Sequence, residues 1–409
     1  MIERIDALML PLNWQKVRLG DIGITISGLV GKTKQDFING NAKYITFLNV
    51  LNNVIIDTSI LENVKIYPNE KQNSFKKYDL FFNTSSETPK EVGMCAVLLD
   101  DIDQVFLNSF CFGFRIFDKA VDNLFLSYLI NSEIGRKAFE NLAQGSTRYN
   151  LSKSGFNNIC LFLPPLNEQS AIANILSALD RYLCALDALI LKKEGVKKAL
   201  SFELLSQRKR LKGFNQAWQR VKVKDFGIII TGSTPLTQIS EYWNGTISWI
   251  TPTDINDNKD IFNSERKITQ KGLDTIRMIP KNSVLVTCIA SIGKNAILRV
   301  NGACNQQINA IIPNKDFNAD FIYYLMENNK QYLLGKAGVT ATYIISKQVF
   351  EEIDFFVPKD LNEQSAIANI LSALDNEIIS LKNKKRQFEN IKKALNHDLM
   401  STKIRVLNK

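Results

Sequence analysis

Two stretches of the chain carry apolar residues at alternating steps of four and three. The first runs through Ile172, Leu176, Leu179, Leu183, Leu186 and Ile190. The second runs through Ile367, Leu371, Leu374, Ile378 and Leu381, with Phe388, Ile391, Leu395 and Leu399 carrying a face onward. This spacing is the heptad seam of a helix that packs against another helix. Each stretch opens on a start signal. Pro164 and Pro165 block an upstream helix, Asn167 is an N-cap candidate and Glu168 suits the positive end of the helix dipole; Asn362 and Glu363 repeat this. A helix over residues 167–206 would be roughly 60 Å long at about 1.5 Å per residue, too long for one small core to cover. The seams therefore need a partner. They pair either with each other, as an antiparallel two-helix coiled-coil rod, or with another molecule.

Outside these stretches the pattern shortens to β-rich runs between Gly, Asn and Pro turns: KYITFLNV (43–50), CAVLLD (95–100), TISWIT (246–251), SVLVTC (283–288) and NAILRV (295–300). Helices are predicted over 123–143 and 320–337. Each block reads as a mixed α/β unit that ends in a polar loop and a strand leading into a long helix.

The two halves are copies. LNEQSAIANILSALD occupies residues 166–180 and again 361–375 without a difference. Around it, NWQKVRLGDIGITISG (13–28) aligns with AWQRVKVKDFGIIITG (217–232), which sets Trp14 on Trp218, Asp21 on Asp225 and Gly28 on Gly232. The expected division is an N-terminal segment (1–13), a first globular domain (14–165), a central helical region (166–213), a second globular domain (214–360) and a distal helical region (361–409). Near-identity in the helices beside divergence in the domains suggests that the helices fit the same thing twice while the domains act on different targets. Recent duplication would also preserve identity.

Charge follows the same division. The net charge is +10. Residues 192–212 hold eight basic and two acidic residues, and residues 382–409 hold nine and two, so the remainder is slightly acidic. Neither globular domain is a basic DNA-binding domain of the usual kind, and the basic runs are equally readable as solvated helix faces. Six dispersed cysteines and the single His397 argue against a Cys/His metal site and for reduced, mostly buried thiols. With no long apolar run and no signal-peptide pattern, a cytoplasmic protein without membrane contact is expected.

The repeated motif resembles the specificity subunit of type I restriction-modification systems. PPLNEQSAIANILSALD matches that family's helix start, LLSQRKRL (204–211) its helix end, and LMSTKIRV (399–406) a looser version of the end. Its recognition-domain framework is matched by Trp218, Asp225, Gly232, Ser233, Thr234 and Pro235. The first domain departs from it, with SGLVGKT where the second has TGSTP. The resemblance implies two target-recognition domains, each reading half of a bipartite, asymmetric DNA site, with the helices setting the gap and docking methylase subunits. It implies duplex DNA, two methylase subunits and nuclease/translocase subunits as partners. S-adenosylmethionine, ATP and Mg would sit on those partners and none on this chain. The residues expected in helix pairing and docking are Asn167, Glu168, Gln169, Ile172, Leu176 and Leu179, with Asn362, Glu363, Gln364, Ile367, Leu371 and Leu374.

Base edges are read by polar side chains on loops. In the first domain the candidates are Lys90, Asn108, Ser146, Thr147, Arg148 and Tyr149. In the second they are Thr234, Thr251, Asp254, Lys294, Asn305, Gln306, Thr340 and Thr342. No catalytic or metal-ligating residue is expected. An adenine methyltransferase needs an Asn/Asp-Pro-Pro-aromatic motif, and the only Pro-Pro lies at 164–165; there is no Walker A loop; and PTD (252–254) with ERK (265–267) has a nuclease-like outline that arises readily by chance. The competing reading is a coiled-coil adaptor that binds other proteins.

Overall fold

The computed structural model describes residues 13–140, 142, 149–256, 258–339 and 342–406. It divides into two units that do not follow chain order. One unit combines the chain up to Asp187 with the chain from Lys384 onward, and the other is Ala188–Asn383. Each long helix therefore gives one end to each unit.

Both long helices form, as Leu166–Leu205 and Leu361–Met400. They start two residues earlier than N-caps at Asn167 and Asn362 would set. Asn167 and Asn362 lie within the first turn, and the cap of the second helix is Asp360, whose carboxylate accepts from the Asn362 N–H. In the first unit Asp180 pairs with Lys392 and Asp187 with Lys385, while the Tyr182 and Phe388 rings meet at 4.7 Å. In the second, Lys193 pairs with Glu377 and Lys197 with Asp375. Rising numbers on one helix meet falling numbers on the other, so within each unit the helices run antiparallel in one chain. The seam has a third partner. Ile172, Ala173 and Leu176 share a core with Leu399 and Met400 and with Phe125, Tyr128 and Leu129 of the first globular domain. Ile367, Ala368 and Leu371 do the same with Leu204, Leu205, Phe321 and Tyr324. Leu179 and Leu374 are half-buried.

Each globular domain centres on an antiparallel sheet. In the first domain its order is Gly23–Ser27, Cys111–Ile116, Leu80–Asn83 and Cys95–Val97. In the second it is Gly227–Thr231, Ile308–Pro313, Ser283–Thr287 and Asn295–Leu298, with Asp260–Ile261 added in parallel at the edge. A three-stranded sheet flanks each. A further antiparallel pair joins Gln15–Arg18 to Cys160–Leu163, and Trp218–Lys222 to Asp354–Pro358, directly before the long helices.

Three element predictions needed correction. Only Ala42–Ile45 of the predicted 43–50 strand is extended; Thr46 then accepts from the Asn49 N–H and caps a helix, Phe47–Asn52. The 123–143 helix breaks at Ser132, whose hydroxyl bonds the Leu129 carbonyl and the Gly135 N–H, giving Asn123–Asn131 and Glu133–Glu140. The 320–337 helix divides at Asn329 into Ala319–Asn328 and Lys330–Leu334. Cys95, Cys111, Cys288 and Cys304 are buried free thiols, and burial pushes Cys288 and Cys304 up to about 12. Among the described residues no helix is long and apolar enough to cross a membrane.

Candidate nucleic-acid interface

Alternation of strand direction decides where the polar loops go. In the first domain Ser27, Asn83, Cys95 and Cys111 all mark one end of the sheet. The loops that leave there are bonded to one another. Leu29 N donates to Leu107 O, the Thr84 N–H and hydroxyl both donate to Phe110 O, Leu151 N donates to Thr84 O, and Lys153 Nζ reaches Ser27 Oγ at 2.8 Å. Tyr149 pairs in register with Ser86. Lys90 is exposed in a short turn of helix. Asn108 is occupied in its own turn, its side-chain Oδ1 accepting from the Phe110 N–H. Ser146, Thr147 and Arg148 lie outside the described residues.

The second domain repeats the arrangement with Thr231, Thr287, Asn295 and Ile308 at one end. Ser233 N donates to Cys304 O, Cys288 N to Gln307 O, Asn305 N to Ile250 O, and Ile345 N to Cys288 O. Five candidate loops thus converge. Thr234 donates to Gln306 Oε1 at 2.6 Å, and Gln306, Lys294 and Thr342 are exposed. Asn305 is nearly buried and bonded to Gln307. Asp254 is a local cap that accepts from the Thr251 N–H and hydroxyl and from the Glu265 N–H. Thr340 lies outside the described residues.

The framework glycines are matched by geometry as well as by alignment. A Cβ on Gly28 would lie 2.3 Å from the Asn108 carbonyl oxygen, and one on Gly232 would lie 2.1 Å from that of Asn305. No side chain fits there. The close approach seats the loop that follows each glycine on the turn that carries Asn108 or Asn305.

The chain leaves the opposite end of each sheet at Ile116 or Pro313 and meets the start of a long helix. Gln169 Oε1 accepts from Asp122 N while its Nε2 donates to Ala120 O and Pro164 O. Gln364 makes the same three bonds with Asn318 N, Asp316 O and Pro358 O. Glu168 is 3% exposed and takes a two-pronged bond from Arg405; Glu363 is 1% exposed and takes one from Arg210, with the Trp218 indole N–H added. These bonds hold the Arg210 and Arg405 guanidiniums above their ordinary pKa. Asp180 joins Tyr128 of the domain to Lys392 of the other helix, and Asp375 likewise joins Tyr324 to Lys197. Burial, then the bonded carboxylate, raises both phenols far above their usual range. Glu168, Gln169, Glu363 and Gln364 therefore serve inside their own unit, whereas Asn167 and Asn362 are exposed.

A family model described as the type I restriction modification DNA specificity domain matches residues 11–193 and again 215–390. The chain belongs to that family. Each match begins at a recognition domain and continues into the long helix that follows it, so the duplication seen in the fold is two copies of one specificity domain. The MjaIX specificity subunit of Methanocaldococcus jannaschii is 36% identical over 182 residues, a stretch that spans 43% of this chain and 41% of that protein. The MjaVIII specificity subunit of the same organism is 26% identical over 71% of this chain and 72% of its own length. The S subunit of the type I restriction-modification system from M. genitalium has the same fold, with a TM-score of 0.62, 16% identity, and coverage of 96% of this chain and 98% of that one.

Three side chains outside the candidate set hold loop backbone. Trp243, Trp249 and Gln72 bond the loops that follow the framework glycines. The sequence signal is weak: a Trp removed from solvent needs a partner for its N–H, but the sequence does not say which.

Proposed function

We propose that this chain is the DNA sequence-recognition subunit of a type I restriction-modification complex, each recognition domain reading one half of a bipartite, asymmetric site. One observation carries the reading. In both units the polar loops gather at one end of the main sheet, and the segment leaving the other end is fastened to the start of a long helix by the same buried glutamine, beside a buried glutamate that takes an arginine from the end of the other helical region. The loops are free to diverge, and the fastening is not. The exposed remainder of the repeated motif, Leu166, Asn167, Asn174 and Ala178 with Leu361, Asn362, Asn369 and Ala373, offers one surface twice for two methylase subunits. Helix length sets the gap between half-sites. Methyl transfer, cleavage and translocation, with their S-adenosylmethionine, Mg and ATP, belong to methylase and nuclease/translocase subunits in the cytoplasm.

The recognition domains are nearly neutral, so phosphate contacts must come from local patches and the basic helix runs. Affinity for duplex DNA is expected to fall roughly a thousandfold between about 50 and about 200 mM salt, the loss that about six or more phosphate contacts produce. Fluorescence anisotropy of the chain co-purified with its methylase partner measures this. Salt-independent binding would favour the adaptor reading.

A further inference from the structure

The loop after each framework glycine is held rigidly, yet the two domains hold it by different chemistry. In the second domain the Trp249 indole N–H donates to Ser233 O at 2.9 Å and that of Trp243 donates to Leu236 O at 3.2 Å. The two rings meet edge-on at 5.1 Å, and the Arg266 guanidinium lies 4.2 Å from the centre of Trp243 and 4.9 Å from that of Trp249. Strand register places Tyr44 of the first domain where the second has Trp249. Tyr44 shares a core with Leu29 of the loop, but its hydroxyl donates to Glu62 rather than to the loop main chain. Instead the Gln72 carboxamide grips Val30 from both sides, accepting from its N–H at 3.1 Å and donating to its carbonyl at 2.7 Å. Gln72 is in turn bonded to Glu70, which holds the buried amine of Lys32.

What these fixtures present is apolar. Val30 is 67% exposed and Leu236 is 61% exposed, although the main chain of each is hydrogen-bonded. A single exposed aliphatic residue is ordinary on a protein surface. Here two of them sit at the loop end of their sheets, each on the residue whose main chain a dedicated side chain grips. Rigid backbone with a solvent-facing aliphatic tip suits a task that depends on placing a methyl-sized surface. In duplex DNA the apolar feature of the major groove is the thymine methyl group.

Resting on the reading above, we propose that Val30 and Leu236 are specificity-determining residues, each packing on a thymine methyl in its own half-site. Gln72, and Trp243 with Trp249, are the positioning residues that aim them. The two domains then use equivalent loops with non-equivalent supports, which lets either loop change without disturbing the other.

The test uses the full chain with its methylase partner and the duplex it selects from randomised DNA. Thymines in that duplex are replaced one at a time by uracil, which removes the methyl group and keeps the base pair. One position in each half is expected to lose about three- to tenfold in affinity, the scale of one buried methyl group. The loss in one half should vanish in Val30→Ala and that in the other half in Leu236→Ala, because the contact is already absent. Gln72→Leu and Trp243→Phe should shrink the uracil penalty in their own half and leave the other half unchanged, an asymmetry that general destabilisation would not produce. Uracil tolerated at every position, a penalty that persists in both alanine variants, or a selected half-site without an A·T pair overturns the proposal for the half concerned. A protein that selects no two-part site at all would instead overturn the parent reading.

Discussion

Replacing Gln364 by leucine is expected to destabilise the second unit by roughly 3–5 kcal/mol, although leucine nearly preserves the volume. The Gln364 side chain is fully buried, donates to Asp316 O at 3.1 Å and Pro358 O at 3.0 Å, and accepts from Asn318 N at 3.0 Å. Leucine leaves two carbonyls and one N–H without partners in a closed environment, and each stranded group costs about 1–3 kcal/mol. Asn318 also caps the helix that follows it, so the lost bond weakens that helix start. Hydrogen exchange read by mass spectrometry checks the effect. Amides of Ala319–Asn328 and of the first turns from Leu361 should exchange orders of magnitude faster, while those of Asn123–Asn131 keep their protection. Gln169→Leu should reverse the pattern. Equal protection in wild type and variant would mean that the glutamine fills space and no more.

The second large effect concerns spacing. Seven residues inserted into both long helices at the level where Lys385 meets Asp187 should lengthen the gap between half-sites by up to about three base pairs. Seven residues add about 10 Å of helix and nearly preserve the phase of the seam, whereas four would rotate it. Insertion into one helix alone should abolish pairing beyond that level, including Tyr182 on Phe388, and with it bipartite binding. Selection from randomised duplex DNA reads both outcomes. The bases of each half-site should stay the same. An unchanged gap, or changed bases, would reject the helices as the spacing element.

Sequence pattern carried the long helices almost to the residue, because a heptad stripe over several turns has no strand equivalent. The repeat also exposed Gly28 and Gly232, whose role is a backbone approach that alignment alone could mark but not explain. The candidate loops were legible as polar segments, and the fold does bring Thr234, Lys294, Asn305 and Gln306 to one end. What could not be read was the employment of each side chain. Asn108, Asn305, Thr251 and Asp254 have the chemistry of base readers, yet they bond their own turns. Glu168 and Gln169 look like the exposed first turn of a docking helix, yet they are buried in it. The contacts that fix Val30 and bury Glu168 join residues about 40 to 240 positions apart, Gln72 with Val30 and Arg405 with Glu168, and no local periodicity reports them.

The interleaving of the units bears on how the protein is made. Ala188–Asn383 is an unbroken stretch, but the other unit needs the chain from Lys384 onward to complete it. During synthesis the first recognition domain must wait for residues 399–405 to emerge before Arg405 can reach Glu168 and before Leu399 and Met400 can cover Ile172 and Leu176. The second domain meets no such delay. A chain cut after Asn383 would thus damage the unit begun first and spare the unit begun later.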